Sequence, residues 1–185
     1  MAARAIGFPR LETQRLIMRE LSMADAPALL SIYADTEHMQ WYGIDPLRDL
    51  SAAEERIRAL QGLRRQPNPA CPWAIELKAE SRFIGTCGLF AWNRNWRKCS
   101  VGYELAREMQ GRGYMSEALS AAIRWGLTAM EVNRIEAQVH PSNQRSLALL
   151  RRLHFVEEGR LREAAYWGGQ HHDMLQFSLL RQEIF

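Results

Sequence analysis

Lysine is almost missing from this 185-residue chain: 22 of its 24 basic residues are arginine, leaving Lys78 and Lys98. Against 21 acidic residues the formal charge is +3, too small an excess to mark a dedicated nucleic-acid binder. Cysteine is scarce as well. Cys71, Cys87 and Cys99 form no C-x-x-C pair and leave one over in any pairing, which excludes a disulfide framework and points to a reducing cytoplasm. No run of about 18 apolar residues occurs, so no membrane-spanning helix and no membrane partner is expected, and Met1–Arg10 lacks the apolar stretch of a signal peptide. Repeats and low-complexity tracts are absent too. What remains is ordinary globular material, 47% hydrophobic and 24% charged, of a length that suits one domain. We expect that domain to span 8–183 after a lead-in at 1–7. The arginine bias is explained by GC-rich codons; the sharper alternative is that some guanidiniums bind phosphate, where a planar donor fork is useful.

The hydrophobic pattern divides the chain into two textures. Arg15–Leu21 fits a short strand, and Ser22-Met-Ala-Asp25 starts a helix with a hydroxyl cap and an acid three residues on. Ser51 to about Arg65 reads as a second, solvent-facing helix closed by Pro67, Pro69 and Pro72. Three antiparallel strands follow at Trp73–Lys78, Arg82–Phe90 and Lys98–Leu105. Beyond them the order alternates: a glycine loop, a helix at Tyr114–Met130, a strand at Arg134–Val139, a helix at Asn143–Leu153, and strands at Phe155–Arg162 and Asp173–Leu180. One mixed α/β sheet accommodates this order. Trp41, Tyr42, Trp92, Trp96, Tyr166 and Trp167 fall in expected loops, as acceptor-pocket lining, core plugs or dimer contacts. His140, His154, His171 and His172 show no metal-ligand spacing, and no metal is expected.

Gln110-Gly-Arg-Gly-Tyr-Met115 lies between a strand and a helix. Two glycines one residue apart let several backbone N–H groups converge beside a helix N-terminus, an arrangement that binds phosphate. A tight strand-to-helix turn needs the same glycines. No G-K-[ST] follows, which excludes a Walker A loop, and the dinucleotide-fold spacing is missing. With its surroundings the loop becomes specific. Val101-Gly-Tyr-Glu-Leu105, followed by Gln110-Gly-Arg-Gly-Tyr-Met-Ser-Glu-Ala118, resembles the GNAT superfamily of acetyl-CoA-dependent N-acyltransferases, whose Q/R-x-x-G-x-G/A motif falls on Gln110, Gly113 and Met115. Met115 departs from the small residue of that motif. Thr13-Gln-Arg-Leu16, Arg19-Glu-Leu21, Asn133-Arg-Ile-Glu-Ala137, Asn143-Gln-Arg-Ser146 and Leu153-His-Phe155 are similar to the RimJ/RimL-like branch. The resemblance covers about Leu11 to Leu180. It implies a central mixed, mostly antiparallel twisted sheet of about seven strands flanked by about four helices.

The same resemblance implies acetyl transfer from acetyl-CoA to a primary amine by direct attack in a ternary complex. The acceptor would be a protein N-terminal α-amine, such as that of a ribosomal protein, or a small amine. Backbone N–H groups of Gln110, Gly111, Arg112, Gly113, Tyr114, Met115 and Ser116 would neutralise the pyrophosphate, with Arg112 adding charge or standing as an exposed loop cation. Leu105 and Arg107 would align the pantetheine arm through their backbones, and a bulge N–H near Leu105 would face the thioester carbonyl. Glu104 is the candidate base, or else a surface or ion-paired glutamate; neutral amine from solution is the alternative. No tyrosine occurs in Asn143–Leu153, where many superfamily members carry one. Asn143 and Ser146 occupy this helix start, Ser146 as a donor to sulfur and Asn143 near the pantetheine, or both simply as capping residues. Arg145, Arg151 and Arg152 are candidates for the 3′-phosphate, or for a solvated face.

Two other classes compete with this reading: a non-catalytic CoA-binding sensor on the same fold, and an RNA- or ribosome-associated protein using its arginines, for which the charge balance gives little support. A homodimer is possible by analogy.

Overall fold

In the computed structural model, which describes residues 7–184, one eight-stranded sheet carries the chain. The strands are β1 (Leu11–Glu12), β2 (Leu16–Glu20), β3 (Cys71–Leu77), β4 (Arg82–Asn93), β5 (Lys98–Leu105), β6 (Arg134–Val139), β7 (Val156–Trp167) and β8 (Gln170–Leu180), ordered β1-β2-β3-β4-β5-β6-β8-β7. All neighbours are antiparallel except β5 and β6. The helices are α1 (Ala26–Tyr33), α2 (Thr36–Met39), α3 (Leu50–Gly62), α4 (Tyr114–Ala129) and α5 (Gln144–Arg152). Strand and helix numbers each exceed the expectation by one. The additions include a two-residue strand, β1, and a single turn, α2, both too short to carry a period. The lead-in expected at 1–7 lies, apart from Gly7, outside the described residues.

Local chemistry accounts for the helix starts. Asp49 accepts from Ala52 N at 2.9 Å and Asp35 from His38 N at 3.0 Å, satisfying N–H groups that the first turn leaves without helical partners. Asp25 closes the turn before α1 by accepting from Ser22 N at 2.8 Å, and it takes the Arg19 guanidinium on both oxygens. α4 buries Met115, Ala118, Leu119, Ala122, Ile123, Gly126 and Leu127, the i, i+3, i+4 stripe of a helix lying on a sheet. Its position on the sheet is set by core contacts such as the perpendicular Trp73–Trp125 pair, with centroids 5.3 Å apart.

Two expected loops are strand instead. Tyr166 and Trp167 end β7, because the reversal is made by Gly168 and Gly169 alone, both at positive φ (58° and 76°), as a two-residue hairpin requires. Trp92 lies within β4, whereas Trp96 is in the β4–β5 turn and 73% exposed.

The Thr13–Arg15 segment is tied to α4 through Glu117. Its carboxylate accepts from Thr13 Oγ1 at 2.5 Å, Arg15 N at 2.8 Å and Arg15 Nε at 2.6 Å. Burial raises the Glu117 pKa, but these hydrogen bonds outweigh it and hold the group below its usual value. A depressed carboxylate stabilises the fold above its unfolded pKa, and that contribution fades as pH falls through the folded value. Glu117→Gln is therefore expected to lower Tm at neutral pH and to flatten its decline below about pH 5, measured by thermal melts across an acid series.

Candidate active site

β5 and β6 pair only at Lys98/Arg134, Cys99/Ile135 and Ser100/Glu136. Past Ser100 the two strands diverge, while β5 stays in register with β4 up to Leu105 against Gly85. The divergence opens a cleft in the middle of the sheet. A cavity of about 890 Å³ occupies it, lined by Val101–Leu105 on one wall and Ala137–Val139 on the other, with the glycine loop, the start of α5 and the α2 segment around its mouth. A second hollow of about 830 Å³, beside Arg58, Arg64 and Arg65, contains none of the expected site residues.

The glycine loop ends at Gly113, which caps α4 in the left-handed region at φ 79°, a conformation that disfavours any residue with a Cβ. Arg15 closes over this turn: its Nη1 donates to the Arg112 carbonyl at 3.0 Å and its guanidinium lies 4.4 Å from the Tyr114 ring centroid. The start of α4 from Gly113 to Ser116 lines the cavity, with the Arg15–Glu117 pair beside it. Met115, where the motif has a small residue, is buried against the core and also lines the cavity. Arg145 and Arg152 line the cavity. Arg151 does not, and it is paired with Glu157 at 3.3 Å.

Successive residues of β5 point to opposite faces. Tyr103 shares the α4 face with its pair Cys87, and its hydroxyl lies 2.6 Å from Ser146 Oγ. Burial pushes the Tyr103 pKa up to about 12, so the phenol is protonated across the physiological range. Asn143 caps α5 by accepting from Ser146 N at 3.1 Å, so the capping role read from the sequence is present, with the Ser146 hydroxyl left for Tyr103. No tyrosine stands on α5, and the phenol beside Ser146 comes from Tyr103 of β5. Sequence reading missed it, because a phenol in a V-G-Y-E-L strand looks like core.

Glu104 faces the other way, toward α1 and α2, and is 8% exposed. Its Oε1 accepts from Leu105 N at 2.9 Å and is hydrogen-bonded to His38 Nε2. His38 was not among the expected residues. Gln110, at the head of the glycine motif, places Nε2 3.2 Å from His38 Nδ1 and 3.2 Å from the Leu105 carbonyl, while its Oε1 accepts from Arg145 Nη1. The Leu105 N–H and carbonyl, expected to serve the pantetheine arm and the thioester carbonyl, each have a side-chain partner here, and the carbonyl keeps a second lone pair. The Arg107 side chain grips Asp35 and Glu37 of the α2 turn, at 2.9 and 3.1 Å, and locks α2 against the end of β5.

Trp41, which lines the cavity, belongs to an aromatic cluster with His140, Trp167 and His172. Trp41 stacks on His140 at 4.2 Å, and Trp167 stacks on His172 at 3.7 Å and donates from Nε1 to the Gln40 carbonyl at 3.1 Å. The β7–β8 hairpin is thereby fastened to the segment after α2. Burial, with His172 nearby, lowers the His140 pKa. Among the described residues no cluster of three or more metal-ligating side chains occurs, and no helix is long and apolar enough to cross a membrane.

The model of the acetyltransferase (GNAT) domain family matches residues 15–156. The chain belongs to the GNAT acetyltransferases. It is 35% identical over 173 residues to a Bacillus licheniformis protein named uncharacterized N-acetyltransferase p20, covering 94% of this chain and 97% of that one. It is 32% identical over 172 residues to the [ribosomal protein uS5]-alanine N-acetyltransferase of Escherichia coli strain K12, covering 89% and 87%. Mycobacterium smegmatis RimJ in complex with CoA-disulfide superposes with a TM-score of 0.83 at 26% identity, covering 91% of this chain and 83% of that one. The GNAT chain is an acyltransferase of the RimJ/RimL-like branch.

Proposed function

We propose that this GNAT chain transfers an acetyl group from acetyl-CoA to a primary amine, with a protein N-terminal α-amine as the acceptor. The observation that carries the reading is the cleft between β5 and β6, whose single cavity is lined by the glycine loop, Arg145 and Arg152 together with the Glu104 carboxylate. The uS5-alanine acetyltransferase relative supports the choice of acceptor, as does an open mouth that leaves room for a peptide behind its first residue.

Acetyl-CoA supplies a thioester carbon open to attack. The chain's own groups do the rest. The N–H groups from Gly111 to Ser116, with Arg145 and Arg152, hold the phosphates at the α4 terminus. Glu104 takes a proton from the incoming ammonium, which has no nucleophilic lone pair until it is lost. Ser146 is the donor available to the leaving sulfur, and Tyr103 orients it. A hydroxyl with a pKa near 12 does not transfer its proton to a thiolate readily, so the pair acts by hydrogen bonding. On this account Tyr103→Phe lowers kcat about tenfold and leaves the KM for acetyl-CoA nearly unchanged, checked by steady-state kinetics.

The test of the function itself is turnover. Purified protein, acetyl-CoA and a panel of peptides with free N-termini, beside small amines, are followed by CoA release and peptide mass. Acetylation confined to the peptide α-amine is the expected result. Acetylation of small amines alone overturns the acceptor assignment. CoA binding without turnover of any acceptor would favour the non-catalytic reading.

A further inference from the structure

The Gln110 amide has one orientation that satisfies its neighbours. Arg145 is a pure donor, so it must meet the Gln110 oxygen, and the Leu105 carbonyl is a pure acceptor, so it must meet the Gln110 nitrogen. Turning the amide over would set donor against donor and oxygen against oxygen. Two independent partners thus aim an N–H of Gln110 at His38 Nδ1, 3.2 Å away. That ring nitrogen has to accept, which places the imidazole proton on Nε2, facing Glu104.

We propose that His38 is a positioning residue for Glu104, that Gln110 sets its tautomer, and that the chain of contacts Arg145–Gln110–His38–Glu104 joins the cofactor loop to the base. This rests on the assignment of Glu104 as the base. His38 donates to Glu104 Oε1 and, with the Leu105 N–H, fixes the carboxylate at the cleft. To gain a charge, His38 must take a proton on Nδ1, and Gln110 must then turn away. The surrounding charges act in both directions. On its own helix His38 has Asp35 and Glu37, the first favouring the imidazolium. Arg107, after β5, opposes it, and Glu104 favours it most. Behind Glu104, from α1 and the segment after α2, stand the protonated phenols of Tyr33 and Tyr42, with Arg56 of α3 nearby. Glu104 pulls the His38 pKa upward against burial; the Gln110 amide works against that pull by occupying the only nitrogen left to protonate. The first residue of the glycine motif therefore acts here through its side chain on the base.

Imidazole nitrogen spectra of the protein alone, titrated between about pH 5 and 8, test the tautomer without any substrate. The expected result is an Nε2–H signature for neutral His38. In Gln110→Glu a carboxylate faces Nδ1, and the His38 titration is expected to move up by about one unit or more. An Nδ1–H signature, or an unmoved titration, overturns the proposal. Kinetics test the consequence. His38→Ala is expected to lower kcat by about ten- to a hundredfold and to move the acidic limb of the pH–rate profile upward, with the KM for acetyl-CoA within about twofold. His38→Gln, which retains a donor toward Glu104, is expected to restore most of the rate and the original limb. Equal losses in both variants with no movement of the limb reduce His38 to a structural part and overturn its positioning role. If no acceptor is turned over at all, the proposed function falls, while the spectra still decide whether Gln110 sets the His38 tautomer.

Discussion

Glu104→Gln is expected to cut kcat for acetyl transfer by about a hundredfold to a thousandfold while CoA binds as tightly as before. The amide keeps the shape of the carboxylate and still accepts from Leu105 N and His38 Nε2, the two contacts of Oε1. What it loses is the capacity to take a proton. Steady-state rates across pH, with CoA binding followed by calorimetry, separate the two outcomes. The variant's rate should instead follow the fraction of free amine, rising toward alkaline pH. A variant with the wild-type profile would remove Glu104 from the chemistry and return deprotonation to the solvent.

The largest effect on stability is expected at Gly85. It lies opposite Leu105 in the β4–β5 ladder, and a Cβ built there would sit 2.2 Å from the Glu104 carbonyl oxygen and 2.9 Å from Leu105 Cα. Both are backbone atoms of the strand that carries the site, and neither can step aside alone. Gly85→Ala should cost about 3 kcal/mol, or a Tm fall of about 10 °C for a chain of this size. It should also lower kcat, because the strand that must move is the one that presents Glu104. Gly126 is the control. A Cβ there meets Leu89 Cδ1 at 2.7 Å, the far end of a side chain that can change rotamer, while alanine gains about 1 kcal/mol of helix propensity. Gly126→Ala should leave Tm within a few degrees of wild type. Thermal melts of the two variants side by side decide the comparison.

Much of the scaffold is legible in the chain itself. β5 and β6 begin and end at the residues their alternation indicates, Lys98–Leu105 and Arg134–Val139, because each is bounded by turn chemistry and has a strong period. α4 carries an apolar stripe over four turns, and the glycine pair in front of it marks the loop without any partner being known. Order along the chain was enough to point to the GNAT family, because several short motifs recur at the right separations. Where the pattern was short, it was silent: β1 and α2 are too brief for a period, and the Gly168–Gly169 reversal extended two strands through residues that resemble a loop.

The site divides along the same line. The glycine loop and the α5 start could be picked out by residue type and local spacing, since both are local devices, and the resemblance to the GNAT family added the site roles of Glu104, Asn143 and Ser146. Their partners could not be read that way. His38 reaches Glu104 across 66 residues of sequence and Tyr103 reaches Ser146 across 43, and neither pairing has any signature until the sheet splays and α2 folds under its end. Of the three helix arginines, Arg145 and Arg152 line the cavity and Arg151 pairs with Glu157, a sorting that spacing does not show. Sequence alone determined which groups the chain possesses and the elements that bear them, because propensity and periodicity act over a few residues. Which donor meets which acceptor, and so which proton sits where, was decided only by the tertiary structure, because burial and the divergence of two parallel strands bring together groups that the chain keeps far apart.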